Sequence, residues 1–277
     1  MPLRTGLLVL AVALGGPLLA ACGSSGPVTF ASAQEAYERG AAEYERGRYD
    51  RAVEHLRAAL DFGRTGDLAD DAQLLLARAY AQDRQHLLAG NEYTRFIEFY
   101  RTDPRVERAA FERIEAYAAL SPRFELDQTD TRQALTYVAL FEQQFPQSEF
   151  ADEVAAVADR LREKLARKQF EAGRLYERRE MFEAAAYTYR EVLADYPTSA
   201  WADDALLGAL RAQTLYAENS VRARQADRFR EAVDVYQQLA TLFPQSPLLG
   251  EAEDWYNRAF AGLQRSGGEA VGVAAGR

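Results

Sequence analysis

The chain has 277 residues, 48% of them hydrophobic and 27% charged, with one Cys, two His and a formal net charge of -9. That apolar content belongs to a globular body and excludes both a disordered tail protein and a polytopic membrane protein. The acidic balance excludes a general nucleic-acid binder, and a single Cys excludes a disulfide framework or a Cys-rich zinc site.

Residues 1–21 carry one charged side chain, Arg4, then the apolar run Leu7 to Leu14 and the breakers Gly15, Gly16 and Pro17. A short positive start, an apolar core and small residues before position 22 describe a secretory signal peptide. The core is too short for a bilayer span, which takes about 20 residues. Leu19-Ala20-Ala21-Cys22 resembles the lipobox of bacterial lipoproteins. The resemblance implies that Cys22 becomes the acylated (palmitate-bearing) N-terminus, and Gly23 in place of Asp implies sorting to the outer membrane. Each buried methylene is worth about 0.8 kcal/mol, so three acyl chains would hold the protein firmly. Residues 22–30 contain Gly-Ser-Ser-Gly-Pro and read as a flexible tether.

After Ala31 the apolar residues recur at three- and four-residue spacings, the helical period, and Ala, Leu, Arg and Glu dominate. Three copies of one stop–start signal punctuate the helices: Phe145-Pro-Gln-Ser148, Tyr196-Pro-Thr-Ser199 and Phe243-Pro-Gln-Ser246. An aromatic closes one helix, Pro prevents its continuation, and Ser is expected to cap the next. Acids follow in the first turn of each next helix, at Asp152 and Glu153, Asp203 and Asp204, Glu251 and Glu253, where the helix dipole favours them. Ala134, Ala185 and Ala232 each lie twelve residues before the proline, and Ala52 and Ala89 are followed by the same spacing of larger apolar residues. Gly40 and Gly173 in turn lie twelve residues before Ala52 and Ala185.

A small residue with large ones filling the groove beside it, five times over, resembles the tetratricopeptide repeat. The expectation is an all-α superhelix of about five helix pairs, roughly ten helices. The alanines are 37, 45, 51 and 47 residues apart, against a family period of about 34. The extra length falls at residues 120–131, which read as a loop, at 151–169, which lack Gly and Pro and read as one long helix, and at 217–227. The predicted organisation is N-terminal repeats 1–3 over 31–148, a long connecting helix with repeats 4–5 over 149–265, and a disordered Gly- and Ala-rich tail over 266–277.

Lipobox, tether, five irregular repeats and the recurrent [Phe/Tyr]-Pro-x-Ser signal together resemble the BamD family of outer-membrane protein assembly lipoproteins. The resemblance implies a scaffold on the periplasmic face of the outer membrane, bound to the periplasmic domains of the barrel subunit BamA. It also implies that the N-terminal repeats receive the C-terminal targeting segments of unfolded outer-membrane proteins. The alternative is another periplasmic repeat adaptor, such as a Tol–Pal coordinator, but no heptad segment precedes Ala31.

No catalytic constellation is present: there is no phosphate-binding Gly-rich loop and no His pair at metal spacing, and His55 and His86 are isolated. No enzyme activity, cofactor or metal is expected. Asp67, Asp70 and Asp71 open a helix at Leu68, and Asp127 and Asp130 precede the Ala134 helix; capping and dipole interaction account for both groups. Cys22 is the one residue with an expected covalent function. In stacked repeats the first helix of each pair lines the concave face. On repeats 1–3 that places Tyr37, Tyr44, Arg78, Gln82, Arg108 and Phe111 as candidates for a peptide ending in an aromatic residue and a carboxylate. Tyr37 and Phe111 fit an ordinary core equally well. A second candidate surface gathers Arg178, Arg179, Arg222, Arg224, Arg228 and Arg230, suited to an acidic partner; a solvated helix face is the alternative. Lys occurs twice, at 164 and 168, in a chain otherwise supplied with Arg, and nothing local in the sequence accounts for it.

Overall fold

A computed structural model describes residues 29–267, and among them every regular element is an α-helix. In chain order these are α1 (Ala33–Glu45), α2 (Tyr49–Asp61), α3 (Ala69–Gln82), α4 (His86–Phe99), α5 (Val106–Leu120), α6 (Thr129–Gln144), α7 (Ala151–Arg178), α8 (Phe182–Asp195), α9 (Ala202–Glu218), α10 (Arg222–Leu242) and α11 (Leu249–Arg265). The signal peptide, Cys22 and almost all of the tether lie outside the described residues, as does the tail from residue 268. None of these helices is long and apolar enough to cross a membrane.

Five antiparallel pairs stack in order, each helix packing on the next, so the tetratricopeptide-type architecture holds. The five phase-setting alanines sit near the start of α2, α4, α6 and α8 and midway along α10, and all are fully buried. The expected ten helices become eleven, because α11 follows the fifth pair and packs on both α10 and α9. It closes the apolar end of the stack, which repeat architectures must cover.

Turns within pairs 1, 2 and 4 share one geometry. Gly47, Arg84 and Glu180 have φ of 71°, 60° and 58°, each five residues before its repeat's alanine. The following N–H of Arg48, Gln85 and Met181 reaches back to the carbonyl of Glu43, Tyr80 and Tyr176 at 2.9, 2.9 and 3.0 Å. This left-handed helix stop suits Gly and costs another residue about 1 kcal/mol; two of the three repeats accept that strain.

Between pairs, the expected serine caps are not formed. The helix N-caps are Phe150, Trp201 and Leu248, with no side-chain cap bond. The serines instead close a tight turn two to three residues earlier. Ser148, Ser199 and Ser246 donate their N–H to the carbonyls of Phe145, Tyr196 and Phe243 at 3.1, 3.1 and 3.0 Å. Their own carbonyls then accept from Ala151, Ala202 and Leu249. A fourth copy went unread in the sequence because it lacks the Pro-x-Ser core. Tyr100-Arg-Thr-Asp103 makes the same bonds, Asp103 N–H to Tyr100 O at 2.9 Å and Val106 N–H to Asp103 O at 3.1 Å. Tyr100 lies eleven residues after Ala89, the same offset as the other three aromatics.

The acids Asp70 and Asp71 stand in the first turn of α3, where the dipole favours them, but they cap nothing. Together with Asp103 they surround Arg105, whose guanidinium bonds Asp70 at 2.6 Å, Asp103 at 2.7 Å and also Asp71. Asp127 accepts the Thr129 N–H at 2.8 Å beside, not at, the N-cap of α6.

The 28-residue α7 serves two cores. Its first half buries Val154, Val157, Ala158 and Leu161 against α5 and α6, and its second half buries Ala166 against α8 and α9. Gly173 and Gly208 flank the ring of Tyr189, which is fully buried between α7 and α9.

Candidate functional site

Side chains from α1, α3 and α5 converge on a cleft of about 700 Å³ on the first three repeats. Four of the six predicted residues line it: Tyr44, Arg78, Gln82 and Arg108. The other two do not. Tyr37 packs into the N-terminal core near Asp71 and Arg105. Phe111 stacks face to face on Phe150 at 5.1 Å, so it belongs to the core under α7.

The cleft also holds two acids that the sequence reading missed, Glu112 and Glu115. Glu112 accepts a two-pronged bond from Arg78, Nε and Nη2 each 2.9 Å from its carboxylate. Burial depresses the Arg78 pKa, but the hydrogen bonds and charge of Glu112 outweigh it and hold the guanidinium firmly protonated. Tyr93, nearly buried beneath this pair, has its phenol pushed far up by burial and by Glu112. Arg108 makes no salt bridge among the described residues, and its guanidinium lies over the Phe150 ring at 4.8 Å. Glu115 is raised above the usual carboxylate range, first by burial and then by Glu112, with Arg160 and Arg108 opposing. The cleft therefore offers one engaged arginine, one unengaged arginine over an aromatic, and a rim of Tyr44 and Gln82. No sequence signal marked Glu112, since pairing α3 with α5 needs the register between repeats.

A related trio holds the C-terminal repeats. Glu177 of α7 is bonded through both oxygens by Arg211 of α9, with Nη2 at 2.9 Å, and accepts the Tyr189 hydroxyl at 2.8 Å. Tyr93 and Tyr189 occupy the same position, four residues after the phase-setting alanine. The charges run in opposite order along the stack: Arg precedes Glu in the first trio and follows it in the second.

The six C-terminal arginines fall at two within-pair turns. Arg178 and Arg179 end α7, and Arg222 and Arg224 begin α10; all four are exposed. Arg230 is paired with Asp227 at 3.0 Å. Arg228 is committed too: it bonds the Ser220 hydroxyl and covers the Tyr216 ring at 3.8 Å. The other four make no salt bridge among the described residues.

The two lysines have a local reason that the sequence did not disclose. Lys164 Nζ donates to Ser121 O at 3.2 Å and Ser121 Oγ at 2.5 Å. Lys168 Nζ donates to the carbonyls of Phe124, Glu125 and Leu126 at 3.1, 3.4 and 2.8 Å. Together they pin the loop between α5 and α6 onto α7. A compact ammonium serves several carbonyls converging on one point, a task the planar guanidinium fork fits poorly.

Residues 30–225 match the family described as the outer membrane lipoprotein YfiO. An outer membrane protein assembly factor BamD from Caulobacter vibrioides is 24% identical over 176 residues, 64% of this chain and 58% of that one. A BamD from Neisseria meningitidis serogroup B is 25% identical over 259 residues, 87% of this chain and 93% of that one. Among solved structures, a TPR repeats protein from Bacteroides fragilis aligns over 84% of this chain and 99% of its own, at 14% identity and a TM-score of 0.46.

Proposed function

The chain belongs to the YfiO family of outer membrane lipoproteins, and from that premise we propose that it is a non-enzymatic scaffold in outer-membrane β-barrel assembly. In this reading Cys22 carries the lipid anchor, the body stands at the periplasmic face of the outer membrane, and the C-terminal repeats bind the periplasmic domains of BamA. The cleft on repeats 1–3 receives the C-terminal segments of unfolded outer-membrane proteins. The observation that carries the proposal is the length of the family match, which runs from the first described helix into α10. The cleft adds chemical support. Arg108 over Phe150, beside Tyr44, presents a cation and aromatic surface to a ligand ending in an aromatic ring and a carboxylate.

Affinity purification from detergent-solubilised membranes tests the assignment. Recovery of BamA is the expected result; recovery of Tol proteins without BamA refutes it and favours the Tol–Pal adaptor reading. The anchor is tested separately by Cys22→Ala, which is expected to move the protein out of the outer-membrane fraction. Wild-type partitioning of that variant would refute lipid anchoring.

A further inference from the structure

The junction between repeats 3 and 4 contains a second cleft, of about 600 Å³, bounded by the pinned loop, the middle of α7 and the start of α9. It is lined by four cations, Arg123, Arg160, Lys164 and Arg167, against two acids, Glu125 and Glu163. One of those acids is engaged, because Glu163 Oε2 accepts the Ala200 N–H at 3.0 Å. None of the three arginines makes a salt bridge among the described residues. In a chain of net charge -9 such a local excess of unpaired cations is against the trend. The floor is aromatic: Arg167 lies 4.2 Å from the Phe124 ring centroid and 5.6 Å from that of Trp201. The walls are held in place, since Lys164 and Lys168 bind the loop that carries Arg123 and Phe124.

We propose that this junction cleft is a docking site for an acidic peptide segment carrying an apolar side chain. Charge complementarity selects the occupant. Carboxylates would meet Arg123, Arg160 and Arg167 around the rim, where cations near one another favour an anion held among them. An apolar side chain between those carboxylates would enter against Phe124 and Trp201. The volume is that of an ordinary ligand pocket, room for a few side chains and not for a folded domain. The site shares no lining residue with the cleft on repeats 1–3 and needs no free C-terminus. It extends the scaffold reading by giving the stack a third contact, for an internal stretch of a partner.

Trp201 reports on the site, and Trp255 is the chain's other tryptophan. In the full chain carrying Trp255→Phe, a hexapeptide alternating Glu with Leu, blocked at both ends, is titrated while Trp201 emission is followed. Saturable change is expected, weakened several-fold by 0.5 M salt and at least tenfold by Arg160→Ala with Arg167→Ala. Both arginines are exposed, so the fold should survive, and an unchanged melting temperature checks this. Arg57→Ala, at an exposed position on α2 outside both clefts, is expected to leave binding intact. The proposal is overturned by no response up to millimolar peptide, by equal binding of the Gln-for-Glu peptide, or by equal loss in Arg57→Ala. It is also overturned if phosphatidylglycerol vesicles shift Trp201 emission while the peptide does not, which would make the site a lipid contact. Blocking the peptide's C-terminus keeps the result independent of client binding, and BamA recovery decides the scaffold reading separately.

Discussion

Gly173→Ala sets two well-measured effects against each other. Inside a helix, Ala is more favourable than Gly by about 1 kcal/mol, so propensity alone calls the change stabilising. Packing calls the opposite. A methyl on Gly173 would lie 2.6 Å from Tyr189 Cδ1 and 2.7 Å from Cε1, well inside contact distance. The ring has no room behind it, because a Cβ on Gly208 would meet Tyr189 Cζ at 2.8 Å on the other side. Nor can it withdraw freely, since its hydroxyl donates to Glu177 at 2.8 Å; such bonds to charged groups are worth about 1.5–3 kcal/mol. Overpacking typically costs about 1–3 kcal/mol, occasionally more. With a hydrogen bond also at stake, we expect net destabilisation of about 1–3 kcal/mol, a fall in melting temperature of roughly 2–10 °C. Thermal melts followed by circular dichroism would compare Gly173→Ala with Gly250→Ala, whose methyl meets nothing within 4 Å. Tyr189→Leu, alone and combined with Gly173→Ala, completes a double-mutant cycle. A higher melting temperature for Gly173→Ala, or a cost unchanged when Tyr189 is absent, would refute the steric reasoning.

In the cleft on repeats 1–3, Arg108→Ala should weaken an outer-membrane C-terminal peptide by roughly tenfold, the value of one charged hydrogen bond. Glu112→Gln should strengthen it, because Arg78 loses its competing carboxylate; fluorescence anisotropy that ranks the two the other way removes Arg108 as the receiver. Burial raises Glu177, yet hydrogen bonds from Arg211 and Tyr189 hold it below its usual value. A carboxylate depressed on folding stabilises the protein above its unfolded pKa and loses that contribution as pH falls through the folded one. Arg211→Met should therefore shift acid unfolding to higher pH, read by circular dichroism from pH 7 to pH 3; an unchanged midpoint counts against the pair. Lys168→Met should speed trypsin cleavage after Arg123, since the loop loses three carbonyl bonds; equal rates would show that the loop needs no pin.

The repeat was legible because its signal is short-range. Ala89, Ala185 and their counterparts, with a large residue four positions on, state the helix pair within one turn of sequence. The turn Tyr100 to Asp103 escaped because Asp serves there in place of Ser and the proline falls one residue after it. The serines read as caps because each stands near a helix start in the sequence, which does not reveal the turn that separates it from the N-cap. In the cleft, Arg78 and Arg108 were legible as members of one concave face, lined by the first helix of each pair. Their different states were not, because the acid that occupies Arg78 sits 34 residues away. The reason for the two lysines was equally remote, lying in a loop more than forty residues upstream.

That pin has a practical corollary for chemical labelling. The ε-amino groups of the whole chain are two, one helical turn apart and both directed at the same loop. With the N-terminal amine acylated as proposed, an amine-reactive crosslinker would map a single spot, and any partner it captured would lie at the junction of repeats 3 and 4. A lysine-specific protease would have only two cutting points, so digestion gives two large pieces and a four-residue remnant. Its rate under native conditions would measure how often that turn of α7 opens.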